Sequence, residues 1–242
     1  MTANPARTAE DPVLNRLRGG LVVSCQARPG NPLHGPEHMT AMALAAAESG
    51  AVGIRAEGPP DVRAIRSALD LPLIGLWKIG DEGVYITPTA EHARAVALAG
   101  ADVVAADGTG RPRPDGASFA ATVGAVHELG RLVMADCATV GDGLAAEQAG
   151  ADLLGTTLSG YTAETAGRTY GPDLRLVEEL AARASVPVLA EGRIHTPRQA
   201  RQAYEAGAFA VVVGTAITAP QWIAAGFVEA LRDRPESRPQ DR

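Results

Sequence analysis

The residue best suited to chemistry in this sequence is Lys78, which follows the apolar run Leu71–Trp77. It is the only lysine in the chain, and every other Lys/Arg position is an arginine. A guanidinium stays charged, whereas a lysine ammonium that is removed from water can lose its proton. A lysine at the end of an apolar run therefore predicts a reactive amine, and an exposed cation that caps a strand is the alternative.

Polar residues also follow most of the other short apolar runs of the chain. The residues at these positions are Gln26, Arg55, Asp107, Asp136, Thr156 with Thr157, Glu191 and Gly214. If the runs are parallel strands of one closed barrel, these positions meet at a single mouth. For Asp107 we favour the ordinary interpretation of a strand-end aspartate, which is a helix cap or an ion-pair partner.

A mouth of this composition could support two kinds of amine chemistry. Lys78 beside a carboxylate could act as a general base or form a Schiff base with a carbonyl substrate. Glu191 could hold or share a proton with it, and Arg55 and Asp136 could orient or polarise sugar-like oxygens. No histidine stands at a ligand-like spacing from a strand-end carboxylate, so we expect no metal site.

Two glycine-containing loops indicate which ligand could bind there. Gly192 and Arg193 follow the seventh apolar run, and Gly214 and Thr215 follow the eighth. In α/β barrels these two loops, with the N-terminus of a short extra helix, frequently bind phosphate through backbone N–H groups. The pattern predicts a phosphorylated metabolite as the ligand, with Arg193 supplying charge and Thr215 a hydroxyl donor.

The strands that must position these residues are marked by an internal repeat. A small-residue phrase followed by a β-rich run occurs at Ser49–Ile54, Ala99–Val104, Ala149–Leu154 and Ala206–Val211. Four further apolar runs lie between the copies, at Leu21–Cys25, Leu71–Trp77, Leu132–Ala135 and Val186–Ala190. Continuous apolar runs without polar alternation are typical of parallel strands buried on both faces.

Helical segments alternate with these eight runs. They are predicted at Glu37–Ser49, Asp61–Leu69, Ala90–Leu98, Ser118–Leu129, Gly141–Gln148, Asp173–Ala184, Pro197–Glu205 and Pro220–Leu231. Eight strands and eight helices in alternation predict an α/β fold, a single (β/α)8 TIM barrel. The alternative, an open doubly wound sheet, would require a glycine-rich fingerprint after the first strand, and Ser24–Pro29 is not one.

Length, charge and cysteine content narrow the class of protein. A chain of 242 residues fits one barrel domain over residues 1–242, with a loose N-terminal arm at about 1–11 and a charged tail at about 232–242. The net charge of −6 argues against nucleic-acid and anionic-membrane partners. No apolar run approaches the length of a membrane span, and no signal peptide is evident. Two cysteines, Cys25 and Cys137, give no disulfide framework, so we expect a cytoplasmic location.

Eight phrases, spread in order over about residues 21–227, carry a resemblance to a known enzyme family. They are Ser24–Ala27, Gly50–Ala56, Val84–Thr89, Arg111–Gly116, Met134–Asp136, Thr156–Thr162, Ala190–Ile194 and Val211–Thr218. Gly-Tyr-Thr at 160–162 and Val-Tyr-Ile-Thr-Pro-Thr at 84–89 are the specific ones. Through them the chain resembles the N-acetylmannosamine-6-phosphate 2-epimerases, barrel enzymes of bacterial sialic-acid and amino-sugar breakdown.

The resemblance implies a metal- and cofactor-independent inversion at C2, from N-acetyl-D-mannosamine 6-phosphate to N-acetyl-D-glucosamine 6-phosphate. In that family a lysine matching Lys78 removes and returns the C2 proton, and a glutamate matching Glu191 pairs with it. An aspartate and an arginine matching Asp136 and Arg55 assist ring opening and handle the carbonyl side. This choice of base over Schiff base leaves an aldolase and a non-catalytic phosphosugar-binding protein as alternatives.

The resemblance also assigns the remaining contacts to a small phosphosugar substrate. A glutamine matching Gln26 contacts the sugar, and Thr157 is expected to bind substrate from the sixth strand end. The loops at Gly192–Arg193 and Gly214–Thr215 would hold the 6-phosphate. Because barrels of this type are often dimers, a homodimer is among the expected assemblies.

Overall fold

The computed structural model describes residues 11–168 and 170–232, and eight parallel strands close into a barrel within them. The strands are β1 (Leu21–Cys25), β2 (Gly53–Glu57), β3 (Leu73–Leu76), β4 (Val103–Asp107), β5 (Leu132–Asp136), β6 (Leu153–Gly155), β7 (Val188–Glu191) and β8 (Ala210–Val213). They pair in chain order, and β8 pairs with β1 to complete the ring. The predicted (β/α)8 barrel is confirmed, and the open sheet is excluded.

Helices lie outside the strands in the predicted alternation. They are α1 (Pro12–Leu17), α2 (Pro36–Glu48), α3 (Pro59–Ala68), α4 (Ala90–Leu98), α5 (Phe119–His127), α6 (Val140–Gln148), α7 (Leu174–Arg183), α8 (Pro197–Glu205), α9 (Thr215–Thr218) and α10 (Pro220–Arg232), with a 3-10 turn at Ala163–Thr165. Threonine hydroxyls cap α4, α6 and α8, where Thr89, Thr139 and Thr196 each accept a backbone N–H of the first turn.

The first helix, α1, was not predicted, and it closes the N-terminal end of the barrel. Asp11 caps it by accepting hydrogen bonds from the backbone N–H groups of Val13 and Leu14. Leu14 and Leu17 are almost fully buried in the cluster that fills the barrel interior. A Cβ atom on Gly53 would lie 2.6 Å from the Leu17 side chain, so the start of β2 requires glycine to admit this helix. The rest of the predicted N-terminal arm, residues 1–10, and of the predicted tail, residues 233–242, lies outside the described residues.

The last helix, α10, packs differently from the other outer helices. Each of the seven helices α2 to α8 buries at least one residue, whereas α10 buries none. Four of its large apolar side chains are exposed: Trp222, Phe227 (70%), Val228 and Leu231 (75%). Among residues 11–168 and 170–232, no helix has the length and apolarity needed to cross a bilayer.

An apolar groove of about 440 Å³ lies on the outer side of β8. Val211 and Val213 form its floor, and Leu21, Tyr204 and Ile217 are among its walls. We refer to it as the β8 groove. It occupies the flank of the barrel between α8 and β1, beside the point where α9 leads into α10.

Candidate active site

A cavity of about 630 Å³ opens at the C-terminal ends of the strands. Nine of the ten predicted site residues line it: Gln26, Arg55, Lys78, Thr157, Glu191, Gly192, Arg193, Gly214 and Thr215. The tenth, Asp136, is fully buried and contacts two of the lining residues, Arg55 and Thr157. The structure therefore brings the whole predicted set together at one mouth.

Arg55 and Asp136 form a buried ion pair between β2 and β5. Arg55 Nη2 lies 2.6 Å from Asp136 Oδ2, and Nη1 lies 3.1 Å from Oδ1. The same Nη1 lies 3.1 Å from Oε2 of Glu191. Burial opposes the charge of Arg55, but the two carboxylates outweigh burial and raise its pKa above the ordinary value. A fixed guanidinium with two carboxylates thus forms the floor of the cavity.

Glu191 is the last residue of β7, and its carboxylate is the second of the two that contact Arg55. The Thr157 hydroxyl lies 2.7 Å from Asp136 Oδ1 and 3.2 Å from Glu191 Oε2, so it can donate its proton to either carboxylate. Burial raises the pKa of Glu191 to about 7, the neighbouring Asp136 adds to the rise, and Arg55 opposes it. Glu191 can therefore gain or lose a proton near neutral pH.

Lys78 lies two residues beyond β3, in a hairpin that returns at Ile86. An isolated antiparallel bridge joins Lys78 to Ile86, and Lys78 Nζ donates to Gln26 Oε1 at 2.6 Å. Burial lowers the pKa of Lys78, Arg55 lowers it further, and the Glu57 carboxylate opposes both. Within the described parts of the chain, no carboxylate oxygen lies within 4.0 Å of Nζ. The direct partner of Lys78 is thus Gln26, and that of Glu191 is Arg55.

The loops after β7 and β8 line the side of the cavity opposite Lys78. Gly192 has a φ of +106°, a backbone conformation that favours glycine. A Cβ on Gly214 would lie 3.2 Å from the Cβ of Ser24, tighter than an ordinary contact. Arg193 donates from Nε to Gly171 O (2.7 Å) and from Nη1 to Ser159 O (2.5 Å). Its charge is therefore held at the rim by two backbone carbonyls.

Two strand-end residues have structural roles. Asp107 accepts hydrogen bonds from the backbone and hydroxyl of Thr109 and pairs with Arg111, which confirms the ion-pair interpretation. Thr156 is buried and exchanges hydrogen bonds with the backbone of Glu191, through its hydroxyl, at 2.9 and 3.0 Å. Thr156 therefore holds the end of β7 in place beside β6.

Arg28, Glu57 and Tyr85 are among the lining residues that were not predicted. Arg28 and Glu57 stand two positions after Gln26 and Arg55, and the two-residue period of a strand would have placed them on the same side. Four cationic side chains and two carboxylates line the cavity among the described residues, so its local charge is positive although the chain carries −6. A positive, partly closed cavity suits a phosphorylated anion.

Comparison with known proteins places the chain in a family. The family model described as "Putative N-acetylmannosamine-6-phosphate epimerase" matches residues 39–233. Proteins named "Putative N-acetylmannosamine-6-phosphate 2-epimerase" share 55% identity over 225 residues in Cutibacterium acnes and 52% over 227 residues in Synechococcus elongatus. Each alignment covers 92% of this chain. It covers 98% of the Cutibacterium acnes protein and 97% of the Synechococcus elongatus protein.

A solved structure gives the same result. The N-acetylmannosamine-6-phosphate 2-epimerase from Clostridium perfringens superimposes with a TM-score of 0.88 at 40% identity, over 91% of this chain and 97% of that one. A thiamine phosphate pyrophosphorylase from Pyrococcus furiosus, at 19% identity and a TM-score of 0.58, shares the fold alone. On these matches, and with the predicted residues assembled at one mouth, the chain belongs to the N-acetylmannosamine-6-phosphate epimerase family, a family of isomerases.

Proposed function

We propose that this protein inverts C2 of N-acetyl-D-mannosamine 6-phosphate to give N-acetyl-D-glucosamine 6-phosphate, with Lys78 as the base. The substrate comes from the names of its relatives. The observation that carries the mechanism is the environment of Lys78, the only lysine, which lines the cavity beside Arg55 and has a lowered pKa. A lowered pKa makes the free amine available nearer to neutral pH, as proton abstraction requires.

In the proposed reaction the sugar ring opens to expose an aldehyde at C1. The Lys78 amine then takes the proton from C2, and the electrons of the C2–H bond move towards the C1 oxygen to form an enolate. Return of a proton to the opposite face of C2 completes the inversion. The charge that develops on oxygen needs fixed donors nearby, and Arg55 is held for that role by Asp136 and Glu191.

The remaining residues would bind and orient the substrate. Glu191, with a pKa of about 7, can carry a proton towards or away from the sugar oxygens during ring opening, and Asp136 assists through Arg55 and Thr157. The 6-phosphate would bind between the Gly192–Arg193 and Gly214–Thr215 loops, at the far side of the cavity from Lys78. The sugar would then span the mouth, with C2 near Nζ and Gln26 beside it.

Incubation of the purified protein with N-acetylmannosamine 6-phosphate tests the proposal. We expect N-acetylglucosamine 6-phosphate to accumulate to an equilibrium mixture, and the Lys78→Ala variant to form none. An inactive wild-type protein would overturn the proposal. If wild type is inactive and both proteins bind the phosphosugar equally, the protein is a binding protein on the same barrel.

The Schiff-base alternative makes a different chemical prediction for the same residue. An aldolase would form a covalent imine between Lys78 and its substrate, which borohydride reduces to a stable amine. Because no other lysine is present, peptide mapping would locate such an adduct without ambiguity. We expect no adduct at Lys78 in the presence of the phosphosugar and borohydride.

We further propose that the protein is a homodimer in which α10 of each copy lies in the β8 groove of the other. The ring contact between His195 and Trp222, 4.6 Å between centroids, keeps the first turn of α10 beside the barrel. Beyond that turn, the apolar side chains of Phe227, Val228 and Leu231 are exposed. A two-fold arrangement covers both the helix and the groove with one self-complementary contact.

The mass in solution tests this assembly. The chain has a mass of 24.9 kDa, and we expect sedimentation to give twice that value at micromolar concentration. The double variant Phe227→Asp, Leu231→Asp should sediment as a monomer. Leu98→Asp, which adds a charge at an exposed leucine of α4, should stay dimeric. A wild-type monomer, or a dimer that survives the double substitution, would contradict the proposal.

The cellular setting follows from the proposed substrate. A phosphosugar of this kind is an intermediate of amino-sugar and sialic-acid catabolism, and we propose that the protein acts in that pathway in the cytoplasm. Its two cysteines, Cys25 and Cys137, are free and buried, which is compatible with a reducing compartment.

A further inference from the structure

Glu57, the last residue of β2, makes a contact with the proposed base that none of the steps above uses. Its Oε1 accepts a hydrogen bond from the backbone N–H of Lys78 at 3.1 Å. The neighbouring backbone amides are engaged within the hairpin, where Ile79 N donates to Tyr85 O and Thr87 N donates to Trp77 O. Because a part-buried backbone N–H needs an acceptor, Glu57 fixes the point from which the Lys78 side chain departs.

The charged groups around Lys78 come from three strand ends. Arg55 and Arg28 disfavour its ammonium form, while Glu57 and Glu191 favour it. Glu191, however, is bound by Arg55 at 3.1 Å and by Thr157 at 3.2 Å. Glu57 forms no ion pair with any arginine in the described ranges 11–168 and 170–232. Of the two carboxylates that favour the Lys78 ammonium, Glu57 is therefore the one whose charge is not neutralised by an arginine.

The other groups that face this pair do not replace Glu57. Gln26, the direct partner of Nζ, is neutral, and Tyr85 stands on the returning limb of the hairpin. Asp61, in the first turn of α3, is buried, and burial together with Glu57 raises its pKa to about 6. Asp61 therefore responds to the charge of Glu57 and is not among the groups that act on Lys78.

We propose that Glu57 is a positioning residue for Lys78: one carboxylate holds the backbone of the base and balances the ammonium that forms when the base takes the C2 proton. The catalytic part of this inference rests on the proposed epimerase function. Without Glu57, the ammonium would lie between Arg28 and Arg55 with less compensation, and the amine would be a weaker base.

The single lysine permits a direct test that does not depend on activity. Protein produced with lysine labelled with ¹³C at Cε gives one lysine signal, whose chemical shift against pH reports the protonation of Lys78. Glu57→Gln keeps an oxygen that can accept from the Lys78 N–H but removes the charge. Asp81→Asn removes the same charge from the exposed tip of the same hairpin and serves as the matched control.

We expect the titration midpoint of Lys78 to fall by about one pH unit in Glu57→Gln, as for loss of a neighbouring opposite charge. Asp81→Asn should titrate like the wild-type protein. An unchanged or higher midpoint in Glu57→Gln, or an equal fall in Asp81→Asn, would overturn the assignment. Since the signal requires only folded protein, this result is obtained whether or not the enzyme turns over.

The pH dependence of turnover then tests the catalytic part. The acid limb of kcat/KM should move to lower pH in Glu57→Gln, because a weaker base stays unprotonated down to a lower pH. Glu57→Leu loses the backbone contact as well and should lower kcat at least tenfold more than it changes KM. If wild type is inactive while the midpoint still falls, the proposed function fails and the Lys78–Glu57 coupling stands. If wild type is active and neither quantity moves, only the assignment of Glu57 fails.

Discussion

The Arg55 guanidinium donates two hydrogen bonds to the Asp136 carboxylate across the barrel, at 2.6 and 3.1 Å, with both side chains at most 1% exposed. The two residues come from β2 and β5, so the contact joins opposite sides of the barrel. Removal of one partner leaves the other charge buried and uncompensated, which costs far more than the pair contributes.

Arg55→Met should therefore lower the free energy of unfolding by about 3–5 kcal/mol, the range for breaking a buried ion pair. Arg94→Met breaks the exposed pair with Glu128, also 2.6 Å long, and should cost at most about 1 kcal/mol. Urea titration of both variants measures the difference. Equal losses would show that the Arg55–Asp136 pair is not buried in solution.

Glu191 should make stability depend on pH near neutrality. Its pKa of about 7 in the folded state exceeds the ordinary 4.5, so the folded protein binds this proton more tightly than the unfolded chain. The resulting stabilisation is fully present below about pH 4.5 and is lost as the pH rises through about 7.

Glu191→Gln removes this dependence because glutamine does not titrate. The free energy of unfolding of the Glu191→Gln variant minus that of the wild-type protein should rise by about 3 kcal/mol between pH 4.5 and pH 8, because only the wild-type protein loses this stabilisation. Denaturant titrations at several pH values give this difference directly. Glu205→Gln, on the exposed face of α8, should show a constant difference, and a constant difference for Glu191→Gln would refute the raised pKa.

Lys78→Arg separates binding from proton transfer. The guanidinium retains the positive charge that a phosphosugar would meet, but it does not give up its proton at accessible pH. Calorimetry should therefore show binding within about tenfold of wild type, and the rate of epimerisation should fall by at least about a thousandfold, within the range for loss of a general base. Retention of a tenth of the activity would exclude Lys78 as the base.

Leu17 of α1 should contribute to stability without contributing to catalysis. It is fully buried at the N-terminal end of the barrel, opposite the cavity, and Leu17→Ala should cost about 2–5 kcal/mol. Leu98→Ala, at a leucine that is 73% exposed on α4, is the control and should cost less than about 0.5 kcal/mol. Thermal unfolding and kcat/KM of the two variants separate the effects, and a loss of kcat/KM in folded Leu17→Ala protein would contradict this role.

The sequence contained enough to predict the barrel and the mouth because both depend on periodic signals. Continuous apolar runs between helical segments indicate parallel strands, and closure brings the residues after each run together. That is why Arg55, Asp136 and Glu191 could be placed in one site although they are far apart in the chain. The helices of the alternation agree with the structure to within two residues at each end.

The features that were missed depend on contacts that no local pattern encodes. Asp11-Pro12 is a helix-start signal, but the helix it begins is too short for a hydrophobic period to be read. Glu57 reaches Lys78 only because β2 and β3 pair in register, with Glu57 opposite Leu76. The amphipathic pattern of α10 predicts a helix with an apolar face. It does not indicate that this face is exposed instead of packed against the barrel of the same chain.

Solvent isotope incorporation tests the central claim most directly. After Lys78 takes the C2 proton in D₂O, its ammonium carries two deuterons and one substrate proton, and these rotate freely. We therefore predict that N-acetylglucosamine 6-phosphate formed by the wild-type protein carries deuterium at C2 in most molecules, with none formed by Lys78→Ala. Product without deuterium at C2, or labelled product from Lys78→Ala at the wild-type rate, would contradict the assignment of Lys78 as the proton carrier.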